Sequence, residues 1–202
     1  MEPDRDSERT HLRDPVSCTG KMLMEHLAQK HDRFLHACID GSAAVFIAIL
    51  LLTGWFEPSI RTLHIFQSLI YIGILVLCAR RNVFGYGAAI GIAAFWNTAN
   101  LFVTTFIHSG WTALLHLIHT GHDAHPELIV APIAAAAHFI LIAACIAAYL
   151  VRSTKRRSDP ALLIVGALSS ILAFYVIISI WGRQYLHIFS DMLAWLGIHL
   201  PK

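Results

Sequence analysis

"VFGYGAAIGIAAFWNTANLFVTTF", residues 83–106, contains no Lys, Arg, Asp or Glu. A helix rises about 1.5 Å per residue, so about 20 such residues cross a hydrocarbon layer about 30 Å thick. The stretch is predicted to be a membrane span. Similar blocks lie at 37–56, 63–79, 128–151 and 161–182, and across all of them Asp40 is the only charged residue. Unpaired charge inside lipid costs kilocalories per residue, which is why such blocks are kept free of it. Hydrophobic residues make up 56% of the 202 and charged residues 14%, far more apolar material than one soluble core requires. The expected fold is all-α, a polytopic membrane helix bundle of five transmembrane helices with interfacial amphipathic helices at both ends.

Working outward from the spans, the charges set an orientation. Of the 15 Lys and Arg, Arg5, Arg9, Arg13, Lys21, Lys30 and Arg33 precede the first span. Arg80 and Arg81 lie in the second connection, and Arg152, Lys155, Arg156 and Arg157 in the fourth. The segments on the other side hold only Arg61, Arg183 and Lys202. The positive-inside bias then predicts a cytoplasmic N-terminus and an outer C-terminus, in a bacterial-type inner membrane. The basic residues hug the spans and form no stripe with interleaved aromatics, so no nucleic-acid partner is expected. The implied partners are the lipid bilayer and other membrane subunits.

Four segments follow. Residues 1–20 form a polar tail. Residues 21–36 form a cytoplasmic-side amphipathic helix, with Leu23, Leu27, Phe34 and Cys38 on one stripe. Residues 37–182 form the five-helix domain, and 183–202 an outer interfacial helix carrying Tyr185, Leu186, Phe189, Met192, Leu193 and Leu196 on one face. Gly87 and Gly91 have the small-xxx-small spacing that lets backbones approach closely, and the Ala-rich fourth span offers a matching face. Spans three and four are expected to pack tightly. Asp159 before Pro160 suits an N-cap for the fifth span. Asn97 and Asn100 suit interhelical hydrogen bonds, and a quinone or lipid-headgroup contact with Trp96 is the rival reading. Cys18, Cys38, Cys78 and Cys145 have no zinc-type spacing and read as small apolar residues.

The histidines carry the functional reading. "HLIHTGHDAH", residues 116–125, places His116, His119, His122 and His125 three apart, with Asp123 among them. Residues 110–121 have a half-apolar helical pattern with Gly121 as a C-terminal stop, which puts His116 and His119 one turn apart. Imidazole suits zinc, copper or iron, and a carboxylate serves as ligand or orients a ring. A metal site at His116, His119, His122, Asp123 and His125 is one expectation, and an interfacial loop hydrogen-bonded to headgroups and water is its rival. His138 is the one histidine deep in a span. It is expected either to ligate a b-type haem, with His108 or His64 as the second group, or to hydrogen-bond Asn97, Asn100 or Tyr175.

No motif names a reaction: there is no phosphate loop, no nucleophile elbow and no paired intramembrane carboxylate. The expected function is an integral membrane subunit that binds a transition metal or haem at a histidine-rich outer-face site, in a redox or metal-handling complex. The alternative is a non-catalytic accessory or scaffold subunit of a larger membrane complex. A metal-dependent membrane hydrolase or oxygenase using the same loop is a third reading.

Overall fold

The computed structural model describes residues 15–122, 126–152 and 154–198. It has helices α1 (Pro15–Phe56), α2 (Arg61–Ala79), α3 (Val83–Thr98), α4 (Phe106–Thr120), α5 (Pro126–Leu150), α6 (Asp159–Trp181) and α7 (His187–Trp195). Single 3-10 turns at Pro58–Ile60 and Arg183–Tyr185 precede α2 and α7, and a π-helical turn, Ala99–Val103, follows α3. No strand occurs among the described residues. The chain forms two compact units, Met1–Phe34 and Leu35–Lys202. The expected surface helix over 21–36 and the start of the first span share the single helix α1.

Within the second unit, four helices are long and apolar enough to cross a membrane, and five if α3 through α4 counts as one bent span. α1 and α6 each bury one stripe. In α1 it is Leu35, Ile39, Ala43, Phe46 and Leu50, and in α6 it is Gly166, Ser170, Phe174 and Ile178, the helical repeat in both cases. In α5 the composition of the faces is inverted relative to a soluble bundle. The buried face of α5 is Ala131, Ala134, Ala137, Leu141, Ala144, Cys145 and Ala148, while Ile133, Phe139, Ile140 and Ile146 point outward. Small side chains let helices approach and large aliphatics meet the solvent, which is what a lipid solvent selects.

α3 packs on α5 as expected, but its glycine-bearing face packs mainly against α6. A Cβ at Gly87 would fall on the Leu163 carbonyl, one at Gly91 would sit 2.5 Å from Ala167 Cα, and one at Gly166 would strike the Phe84 carbonyl. Spacing shows that a face is smooth, and both α5 and α6 present smooth faces. Gly166 and Ala167 supply the closer fit.

The span expected over 83–106 is broken. Asn100 donates its Nδ2 hydrogen to the Trp96 carbonyl (2.9 Å), and Thr104 donates to Asn100 Oδ1 (2.9 Å), so both side chains hydrogen-bond locally in the π turn. Thr105 then adopts φ +56°, rare for a residue with a branched Cβ. The chain turns through 74° into α4. The helix expected over 110–121 therefore starts earlier, at Phe106, and ends as expected at Gly121, whose φ is +70°. It docks on α5 at Gly110, where an added Cβ would meet the Leu128 carbonyl and lie 2.8 Å from Pro132 Cδ. Proline has no N–H, so the Leu128 carbonyl has no helical partner and sits open to this close approach.

Two ends differ from expectation in detail. Ser158, not Asp159, takes the N-cap position of α6. Asp159 Oδ2 instead accepts the Arg156 N–H at 3.0 Å and lies 3.7 Å from Arg152 Nη1, tying the preceding loop to the helix start. At the other end, Phe189 of α7 stacks on Phe95 with ring centroids 4.9 Å apart, and Trp195 stacks on Phe102 at 4.9 Å. The expected interfacial helix thus leans on α3 and the π turn.

Candidate functional site

A cavity of about 410 Å³ lies where α1, α3 and α6 end and α2 and α5 begin. This is within the range of about 300–1,000 Å³ usual for small-molecule sites. Its walls are apolar: Leu50 and Ile49 from α1, Leu63 from α2, Phe95 from α3, Ala131 and Ala134 from α5, Phe174 and Ile178 from α6. Phe46 and Trp96, whose ring centroids lie 5.4 Å apart, form one end. Tyr185 and Ile188 line it from the C-terminal segment, and Asn100, Thr104 and Phe106 from the broken helix. The break in α3 is thus part of the cavity wall. Among the described residues no Lys or Arg lines it, and the carboxylate that does, Glu57, is exposed and accepts a hydrogen bond from Ser59.

Two polar side chains of α2 are set into this apolar wall one turn apart, His64 and Gln67. Thr53 donates its hydroxyl hydrogen to the Ile49 carbonyl (2.8 Å), leaving its oxygen to accept. His64 Nδ1 lies 2.9 Å from that oxygen and 3.0 Å from the Leu50 carbonyl. A carbonyl only accepts, so Nδ1 carries the ring proton, and Nε2 of the neutral ring is an acceptor. Gln67 is 7% exposed and makes no hydrogen bond with any described residue. An unbonded amide in an apolar setting costs kilocalories, so its presence wants a partner.

Behind Phe46 and Trp96 sits His138, fully buried as its position deep in a span predicted. Its Nε2 is hydrogen-bonded to Tyr71 Oη at 2.7 Å. Its ring lies against Phe46 (centroids 3.9 Å) and edge-on to Trp96 (4.9 Å). The partner is therefore Tyr71 of α2, in place of the expected Asn97, Asn100 or Tyr175. His64 lines the cavity, whereas His138 and His108 do not, and His108 is exposed on α4. These three histidines are not brought to one site. Asn97 is buried with neither side-chain atom hydrogen-bonded.

In the histidine-rich stretch, His116, His119 and His122 are exposed. Asp123 and His125 lie outside the described residues. Thr120 donates to the His116 and His122 carbonyls, 2.8 Å each, which folds the chain around Gly121. His119 Nδ1 donates to the Leu115 carbonyl at 2.7 Å. Among the described residues, no group of three or more His, Cys, Asp or Glu side chains is arranged to hold a metal ion.

The residues that the sequence reading missed are Gln67, Tyr71, Phe46 and Thr53. Gln67 alone carried a legible signal, as a polar side chain in an uncharged span one turn from a histidine. Compared with known proteins, the chain matches no family model, no curated protein and no solved structure.

Proposed function

We propose that the chain is an integral membrane protein that holds a small neutral amphiphile in the cavity between α1, α2, α3, α5 and α6. The cavity carries this reading: it has an apolar wall, an aromatic end, a few convergent polar groups and, among the described residues, no Lys or Arg. A fatty acid or phospholipid head would find no Lys or Arg to pair with, and burying an unpaired anion is prohibitive. A neutral head needs only hydrogen bonds. By the positive-inside bias the cavity lies in the outer half of the membrane.

The test is extraction of small molecules from the full chain purified in mild detergent. A neutral amphiphile is expected at about one per chain, and Ala134→Phe, which fills the cavity, is expected to abolish its retention; because Ala134 is itself fully buried, Val130→Phe at a part-buried wall position is the second variant, expected to do the same in a folded chain. Equal retention by the filled variants would refute the reading. Co-purifying protein partners with no retained small molecule would favour the accessory-subunit alternative.

A second reading has one observation of its own. The His119 Nδ1 proton is held by the Leu115 carbonyl, so Nε2 is presented as the lone pair that metals take. A transition metal at His116, His119 and His122, with Asp123 and His125, would follow. Stoichiometric copper, zinc or iron lost in His119→Ala is the expected result; metal content unchanged by that substitution would remove the reading. Nothing here supports a haem between His64, His108 and His138.

A further inference from the structure

We infer that the amphiphile held in the cavity is a hydroxyl donor of the quinol class, recognised by His64 and Gln67. The inference rests on the cavity reading above and adds the chemistry of the head group. His64 contributes only an acceptor. Its Nδ1 proton is fixed by the Leu50 carbonyl and the Thr53 oxygen, and Nε2 is engaged by no described residue. A ligand that meets Nε2 must bring a hydrogen, so a hydroxyl fits and a ketone oxygen repels.

Gln67 lies one turn further along α2 and more than nine-tenths buried, with its amide unbonded. Its N–H groups can donate to the oxygen of the same or a neighbouring ligand hydroxyl. Together the two side chains offer two acceptor atoms, His64 Nε2 and Gln67 Oε1, and the Gln67 NH2 donor, a set that an O–H group satisfies. The rest of the site selects the body. Phe46, Trp96, Phe95 and Phe174 line the cavity, and aromatic faces and edges favour a flat ring over a saturated chain. Among the described residues no Lys or Arg lines the cavity to pair with a phosphate or carboxylate. A hydroxylated ring with an apolar tail meets each of these conditions.

The discriminating experiment uses the full chain in phosphatidylcholine nanodiscs and two matched probes, a decyl-tailed benzoquinol kept reduced and its benzoquinone. The quinol is expected to bind about tenfold more tightly, since the quinone cannot donate to Nε2 and leaves it desolvated. His64→Phe is expected to bring the two affinities within about twofold of each other. Gln67→Leu, which breaks no side-chain hydrogen bond with any described residue, is expected to weaken the quinol about fivefold or more with the melting temperature unchanged. Equal binding of both probes by the native chain, or a quinol preference that survives His64→Phe, overturns the assignment. If neither probe binds while another neutral amphiphile is retained and lost in Ala134→Phe, the head-group assignment fails and the cavity reading stands. If Ala134→Phe changes nothing, both fall.

Discussion

His138 shows what an ionisable side chain does when an apolar bundle encloses it. Full burial leaves it dependent on Tyr71, 2.7 Å from its Nε2, and on the rings of Phe46 and Trp96. Replacing Tyr71 by Phe keeps the ring and strips the hydroxyl, leaving Nε2 buried and alone. The expected outcome is a loss of about 1–2 kcal/mol of stability, read as a lower melting temperature in detergent. Asn97 supplies the opposite case, because its buried amide has no hydrogen bond to lose. Asn97→Leu is therefore expected to be neutral or stabilising by up to about 1 kcal/mol in the same assay; clear destabilisation would reveal a bound water or ligand on that amide. The depth of His138 was legible from its position in an uncharged block. Its partner was not, since depth says nothing about which helix lies opposite.

At the scale of elements, glycine is decisive only where another backbone arrives. The α3–α6 contact is built on Gly87, Gly91 and Gly166, each facing backbone atoms of the other helix. Gly73 of α2 faces open space. Gly166→Leu is expected to separate α3 from α6 and abolish monodisperse folding on size exclusion. Gly73→Ala should be neutral or add up to about 1 kcal/mol through helix propensity, so equal behaviour of the two variants would argue against this packing. The break after α3 has a comparable local cause. Asn100 and Thr104 hydrogen-bond within the π turn, Thr105 turns left-handed, and Gly110 slots beside Pro132. Each of these residues was visible in the sequence, yet continuous apolarity from 83 to 106 read as one rod. Hydropathy registers solvent preference and is blind to a hydrogen-bond register shift.

Along α5 and at the α3–α6 contact, alanine and glycine face inward, and many large aliphatics of the second unit face outward. That arrangement is what lipid rewards, and it makes sidedness measurable. In a cysteine-free background, His119→Cys is expected to react with an impermeant maleimide on intact cells, and Arg156→Cys only after permeabilisation. Reaction of both from the same side would overturn the proposed topology. Helical class, the approximate number of apolar rods and the bias of basic residues were all decided by the sequence, because they follow from one-dimensional quantities: apolar length against bilayer thickness, and charge against side. The pairing of α3 with α6, the 74° turn into α4, the partner of His138 and the enclosure of His64 and Gln67 by the walls of one cavity were decided by tertiary structure alone. In a chain where nearly every helix carries a smooth alanine or glycine face, many pairings satisfy the local pattern. Only close packing in three dimensions selects among them.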